Sequence, residues 1–237
     1  MKVTYKRILL KLSGEQLAGD GENGIDTTLV EWIAQEIKEA TAVGAEVVVM
    51  VGGGNYVRGA QITGGGIQRV TADYMGMLGT LINAVALTDI FNANDLPAHV
   101  LTSIRADQVA DDYTQRRANH HLQKGRVVII GGGIGRPYLT TDTAAVSLAL
   151  DLDCDVVCKI TKVDGVYDKD PEKFDDAKRY KQLTFQQAVE DKHVRVMDKA
   201  ALGLAMEYGK HIIICDLHRD DNIKRIALGG SVGTLIS

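Results

Sequence analysis

Residues 46–55 read EVVVMVGGGN, an apolar, largely β-branched run that passes without a break into three glycines. A continuous run of this length fits a strand covered on both faces, as in a parallel sheet, better than the alternating pattern of a half-exposed strand. Five more runs have the same character: RILLKL (Arg7 to Leu12), HVL (His99 to Leu101), RVVII (Arg126 to Ile130), DVVCKI (Asp155 to Ile160) and HIIIC (His211 to Cys215). Helical patterns separate them. Leu29, Ile33, Ile37 and Ala40 form one apolar stripe, with Thr28 and Glu31 at capping-box spacing and Gly44 placed to end the helix. Further helical patterns cover Gly76 to Phe91, Asp111 to Leu122, Thr141 to Leu152, Phe185 to Glu190 and Asp198 to Tyr208. This alternation predicts an α/β fold: a doubly wound, mostly parallel central sheet with helices on both faces, in three layers.

The bulk properties narrow the function. A chain of 237 residues without a Pro- or Gly/Ser-rich linker reads as one domain with at most two lobes. A net charge of -4 argues against a general nucleic-acid binder. Three cysteines without a CxxC pair suit buried thiols in a reducing compartment. The apolar part of MKVTYKRILLKLSG is too short for a signal peptide, and no apolar stretch approaches the ~18 residues of a membrane span. The expectation is a soluble, cytoplasmic protein with neither a nucleic-acid nor a membrane partner.

Three strand ends run into glycine-containing segments: Ser13-Gly14, GGGN (Gly52 to Asn55) and GGGIG (Gly131 to Gly135). Ligands of open α/β sheets gather at the carboxyl ends of strands, and glycine admits close backbone approach and positive φ. One such loop is often only a turn; three at one edge favour a phosphate or nucleotide site. The spacing fits neither GxxxxGK[ST] nor GxGxxG, so this is neither a P-loop nor a Rossmann dinucleotide fingerprint. His120 and His121 are adjacent, which suits a polar helix face better than a metal site.

Charged and hydroxyl residues stand beside these glycines. Lys11 lies in an apolar strand, where its ammonium either snorkels to water or meets an anion. Arg58 follows GGGN and could cover a phosphate, or could be an ordinary surface arginine. Asp73, just before an apolar helix, reads by itself as an N-cap. Thr140, Thr141 and Asp142 open a helix, where they cap it, bind an anion with its free N–H groups, or both. TKVDGVYDKDP (Thr161 to Pro171) follows a strand; Asp164-Gly165 suits a tight hairpin, and Tyr167 could lie against a base.

Taken in order, KRILLKLSGE, GIDTTLVEWIAQEI, VVMVGGGNYVRG, DYMGML, TTDTAA, KVDGVYDKDP, QLTF, VMDKAA and GTLIS resemble the bacterial UMP kinases of the amino acid kinase family nearly end to end. The resemblance implies ATP-dependent, Mg²⁺-dependent conversion of UMP to UDP in pyrimidine nucleotide synthesis by a homohexamer. It places acceptor binding roughly in residues 1–150 and ATP binding roughly in 151–237. ATP would meet Lys11, Leu12, Ser13, Gly14, Gly54, Arg58, Thr161, Tyr167 and Asp170. UMP would meet Gly53, Asp73, Ile134, Gly135, Arg136, Pro137, Tyr138, Leu139, Thr140 and Thr141, with Asp73 accepting from ribose hydroxyls. Catalysis would fall to Lys11, Arg58 and Asp142, with Asp142 orienting Lys11 or the metal; the resemblance names no dedicated metal ligands.

Departures from the family's usual AGTGNPFFTTD accompany these matches. Ile134 and Arg136 stand where a threonine and an asparagine are usual, which loosens the expected preference for UMP over CMP or dUMP. The loop from Gly19 to Gly24 corresponds to one linked in the family to activation by GTP. Thr88, Asn92, His99 and Gln115 replace basic or aromatic residues of proteobacterial relatives, while Arg126 remains; this argues against GTP activation, whereas UTP inhibition is expected at the acceptor site. Two alternatives keep the same fold: a kinase of another acceptor, such as an acyl or isoprenoid phosphate, and a nucleotide-binding or storage protein without turnover.

Overall fold

A computed structural model describes residues 3–21, 23–57, 66–190, 197–216 and 220–237. Its central sheet is built from the six apolar runs, the first two unchanged and the others extended or shifted by one residue: β1 (Arg7–Leu12), β2 (Glu46–Val51), β3 (Ala98–Thr102), β5 (Val127–Gly131), β6 (Val156–Thr161) and β8 (Ile212–Asp216). Three short strands were not legible as apolar runs: β4 (Asp111–Asp112), β7 (Gln182–Leu183) and β9 (Thr234–Ile236). The order is β4-β3-β5-β2-β1-β6-β8-β9-β7, parallel throughout except for the antiparallel pair β8–β9. The expected doubly wound α/β sheet is what forms.

Between the strands run α1 (Gly14–Leu17), α2 (Thr27–Ala42), α3 (Arg69–Ala93), α4 (Gln115–Gln123), α5 (Thr141–Asp151), α6 (Phe185–Glu190), α7 (Lys199–Glu207) and α8 (Asn222–Ala227). Strand alternation sorts their packing. Ile8, Leu10 and Leu12 of β1 join α2, α3 and α8 in one buried cluster, while Leu9 belongs to a second with α4, α5, α6 and α7. Because side chains alternate faces, Lys11 falls on the α5 side with Leu9, and Lys159 of β6 falls there with Val157.

Several local expectations are corrected. Asp26, not Thr28, caps α2, accepting from the Leu29 N–H at 3.1 Å, because the helix begins two residues earlier than the capping-box spacing implied. Gly44 does follow the helix end, with φ +99°. Asp111 belongs to edge strand β4, and α4 starts at Gln115 under a Thr114 cap. His121 is buried rather than part of a polar face. Asp73 is not an N-cap: α3 starts at Arg69, so Asp73 lies in its second turn. At 25 residues α3 is also long and apolar enough to cross a bilayer, contrary to expectation, although half of its most apolar window is buried within the fold. Nor is Asp164-Gly165 a tight hairpin; Tyr167 bridges Arg179, so the excursion closes over a much longer loop.

Candidate active site

Adjacent parallel strands lie about 4.8 Å apart, and the register pairs Lys11 of β1 directly with Lys159 of β6. Two ammonium groups so placed on one face repel each other unless a carboxylate separates them. Asp142 does so. Its Oδ1 lies 2.9 Å from the Lys11 Nζ and its Oδ2 accepts from the Lys159 Nζ at 2.7 Å. The Lys11 contact is an ion pair without hydrogen-bond geometry at Oδ1.

All three groups are largely enclosed, with Lys11 and Asp142 only 7 and 8 % exposed. Burial alone would raise the Asp142 carboxyl, but the two lysines outweigh it and hold it below the usual carboxylate range. For Lys159 burial is the largest influence, and with repulsion from Lys11 it depresses the ammonium below its ordinary value despite Asp142. Lys11, Lys159 and Asp142 among themselves leave one surplus positive charge, which the more distant Asp198 carboxylate tempers at Lys159. The surplus sits at the N-terminus of α5, where Asp142 is the second residue and free backbone N–H groups add partial positive charge. Such a centre is built to receive an anion.

The α5 start is itself braced. Thr140 caps it, accepting from the Asp142 and Thr143 N–H groups at 3.0 and 3.4 Å, and donates to Asp198. The Thr143 hydroxyl reaches the same carboxylate at 3.0 Å, and Asp198 also caps α7 through the Ala201 N–H. Of the two roles expected at TTD, capping is thus seen directly.

Two cavities open beside this centre. One, of about 260 Å³, is lined by Gly53, Asp73, Ile134, Leu139, Thr140 and Thr141, together with Gly54, Arg69 and Thr80. The other, of about 430 Å³, is lined by Lys159, Thr161, Tyr167, Asp170 and Ile214. Gly54, expected beside ATP, thus faces the first cavity. Gly135, Arg136, Pro137 and Tyr138 do not line it, and Arg136 is exposed. Leu12 lines a third cavity on the opposite face of the sheet, with Gln16, Leu17 and Lys162. Arg58 lies outside the described residues.

Gly132, Gly133 and Gly135 of GGGIG adopt positive φ, whereas Gly14 and the GGGN glycines serve close packing. A Cβ on Gly53 would sit 2.5 Å from the Gly76 carbonyl oxygen and 2.8 Å from the Thr80 nitrogen, so α3 rests directly on the GGGN loop. Gly14 likewise packs on the Gly54 nitrogen, which a Cβ would approach to 2.6 Å. Buried Asn55 and Asn83 lock the same loop: they exchange hydrogen bonds of 2.9 and 2.8 Å, and Asn83 donates to the Gly52 carbonyl at 2.7 Å. Ser13 is engaged locally, in a capping box with Gln16.

Asp73 accepts from the Arg69 Nε on both oxygens, at 2.8 and 3.0 Å, and from the Tyr138 N–H at 2.8 Å. Tyr138 has φ +67°, a left-handed conformation that costs about 1–2 kcal/mol for a residue other than glycine. In the second cavity Tyr167 donates to Asp164 at 2.5 Å, and Asp164 also holds Arg179 at 2.6 Å. Exposed Asp170 is held below the usual carboxylate range by the Lys173 ammonium and the Glu172 N–H.

Among the described residues one group has metal-ligand donors, His99, Asp111 and His121, at the β3–β4 edge of the sheet. Its geometry opposes a metal. The two imidazoles are stacked at 3.7 Å, and Arg126 lies 3.1 Å from His121 Nδ1, adding a cation where an ion would bind.

Lys159, Asn55, Asn83, Arg69 and Asp198 were not singled out from the sequence. Lys159 shares with Lys11 its place within an apolar strand but has no glycine turn directly after it.

Fold and site together define a class: open α/β proteins that receive anionic ligands at the carboxyl ends of their strands. The sequence profile of the amino acid kinase family matches residues 6–216, and the chain belongs to that family. It is similar to the crystal structure of UMP kinase from Bacillus anthracis, at 40% identity over 98% of this chain and 96% of that one, with a TM-score of 0.93. A UMP kinase from Ureaplasma parvum matches at 29% identity over 100% of both chains, with a TM-score of 0.89. A uridylate kinase from Archaeoglobus fulgidus matches at 27% identity over 97% of this chain and 99% of that one, with a TM-score of 0.73.

Proposed function

We propose that this chain is a UMP kinase that transfers the γ-phosphoryl group of ATP to UMP, giving ADP and UDP for pyrimidine nucleotide synthesis in the cytoplasm. The observation that carries the reading is the buried Lys11–Asp142–Lys159 cluster, one positive charge in surplus, beside both cavities. UMP occupies the cavity at Asp73 and Thr140, and ATP the cleft at Thr161 and Tyr167. This division follows the expected lobes, since the first cavity is lined by residues 53–141 and the second by residues 159–214.

A phosphate oxygen of UMP attacks the γ-phosphorus in line, the bond to the β–γ bridging oxygen breaks, and ADP leaves with that electron pair. No base is needed, because the attacking phosphate is already ionised. Catalysis then consists of positioning and charge neutralisation. Lys11 and Lys159 offset the charge on the transferring group, the α5 N–H groups add fixed dipoles, and Asp142 keeps the ammoniums apart and aimed. Arg58 adds a further cation.

Magnesium fits as an ion that arrives with the nucleotide. Asp142, whose oxygens both hold ammonium groups, and Asp170, which lines the second cavity, are the carboxylates that would hold it. When bound, the ion neutralises phosphate charge. Ile134 in the acceptor cavity gives the base an apolar contact in place of a hydroxyl, so backbone groups carry the choice of uracil.

Self-association follows from α3. Val70, Tyr74, Leu78 and Ile82 recur every four residues and are 38 to 52 % exposed, an apolar stripe that a second copy would cover in the homohexamer. UTP competes at the acceptor cavity, and GTP has no activating effect.

Incubation with ATP, Mg²⁺ and UMP, followed by separation of the nucleotides, tests the reading. Equal amounts of ADP and UDP are expected. Bound but unchanged nucleotides would mean a storage protein, and turnover of another acceptor alone would mean a different kinase.

A further inference from the structure

The first turns of α3 carry a charge pair whose order is wrong for a helix. Arg69 is the first residue and Asp73 the fifth, an i,i+4 ion pair with the cation nearer the N-terminus. A base there opposes the helix dipole, and acid before base is the stabilising order. Helix stability does not account for the pair; the orientation of Asp73 does. Each Asp73 oxygen accepts from the Arg69 Nε, and Oδ2 accepts from the Tyr138 N–H as well. With about two acceptor directions per oxygen, Oδ1 keeps one that no partner among the described residues takes. The Arg69 guanidinium also lies 5.4 Å from the centre of the Tyr138 ring. One side chain therefore joins α3 to Tyr138, which stands behind the first cavity and leads directly into its lining residues Leu139, Thr140 and Thr141.

We infer that Arg69 is the positioning residue of the acceptor site. It fixes the Asp73 carboxylate, ties the 135–139 segment to α3 through Tyr138, and leaves one acceptor direction for a sugar hydroxyl. The acceptor class it selects is a ribonucleoside monophosphate over its 2′-deoxy counterpart. This rests on reading the cavity as the UMP site. Arg69 acts on binding and sugar choice, remote from the charge cluster that performs the transfer.

The test is kcat and KM for UMP and for dUMP at saturating ATP and Mg²⁺, in the wild type, Arg69→Ala and Arg69→Lys, with a thermal melt of each. Arg69→Ala is expected to raise KM for UMP about 10-fold, leave kcat within about 2-fold, and bring the UMP/dUMP ratio of kcat/KM towards one. Arg69→Lys keeps the charge but not the planar donor edge, so it restores the melt and only part of the ratio. An unchanged ratio in Arg69→Ala, against a wild type that does discriminate, overturns the inference and leaves the UMP reading standing. So does a wild type that uses UMP and dUMP equally. A wild type inert towards UMP overturns the acceptor reading, and the inference with it.

Discussion

Replacing Lys159 with methionine removes the surplus charge and little else. The side chain keeps an unbranched apolar stem one atom shorter, and the three-residue cluster passes from two cations and one anion to one of each. Asp142 retains Lys11 at 2.9 Å. A unit positive charge ~4 Å from a phosphate oxygen, at an effective dielectric near 20, gains about 4 kcal/mol. Loss of one preorganised donor of this kind lowers kcat by about 10²- to 10³-fold. Stability should move far less. Burial and repulsion from Lys11 already disfavour the Lys159 ammonium, so its removal offsets most of the attraction lost from Asp142. The assay is ADP release at saturating ATP, Mg²⁺ and UMP, alongside a thermal melt. The predicted outcome is a melt within a few degrees of wild type, on the order of 1 kcal/mol, with kcat down by two to three decades and KM for UMP little altered. A folded Lys159→Met protein whose kcat stays within about 3-fold of wild type would refute the charge argument.

Asp142→Asn leaves both ammoniums without their counter-charge; about 3–5 kcal/mol of stability should be lost in urea unfolding, clearly more than for Lys159→Met. Since the Lys159 ammonium is depressed and its charged form is the active one, kcat/KM for ATP should fall as pH rises through a value below the usual lysine range. Lys159→Arg, which stays charged, should move that alkaline limb upward, and an unmoved limb would assign it to another group. Gly53→Ala drives a methyl into the α3 backbone and should cost about 2–3 kcal/mol in unfolding while raising KM for UMP; a neutral result would show that α3 lifts off freely. Leu78→Glu with Ile82→Glu places charges on the exposed stripe and should reduce the mass seen by light scattering to that of a smaller assembly.

What was legible in the sequence was local. Arg7–Leu12 and Glu46–Val51 read as strands to the residue because a doubly covered strand needs an unbroken apolar run. Thr234–Ile236 and Gln182–Leu183 are too short to show a period; the first forms against β8, and the second, at the sheet edge, against the first. The start of α3 is not legible because Gln68 gives no side-chain cap and Val70 is set among Arg69 and Thr71, so Asp73 looks like the cap. Lys11 and Asp142 were visible from their neighbours, a glycine turn and a helix start. Lys159 was not, because its meaning comes from the register that sets it beside a residue 148 positions away. Arg69 was hidden for the same reason, since Tyr138 reaches Asp73 only in the folded chain.

A structure with UMP and a non-hydrolysable ATP analogue tests the charge cluster most directly. The account predicts the γ-phosphate within hydrogen-bonding distance of both the Lys11 and Lys159 Nζ atoms, against the first N–H groups of α5. Phosphates bound elsewhere, with both ammoniums still facing only Asp142, would contradict it.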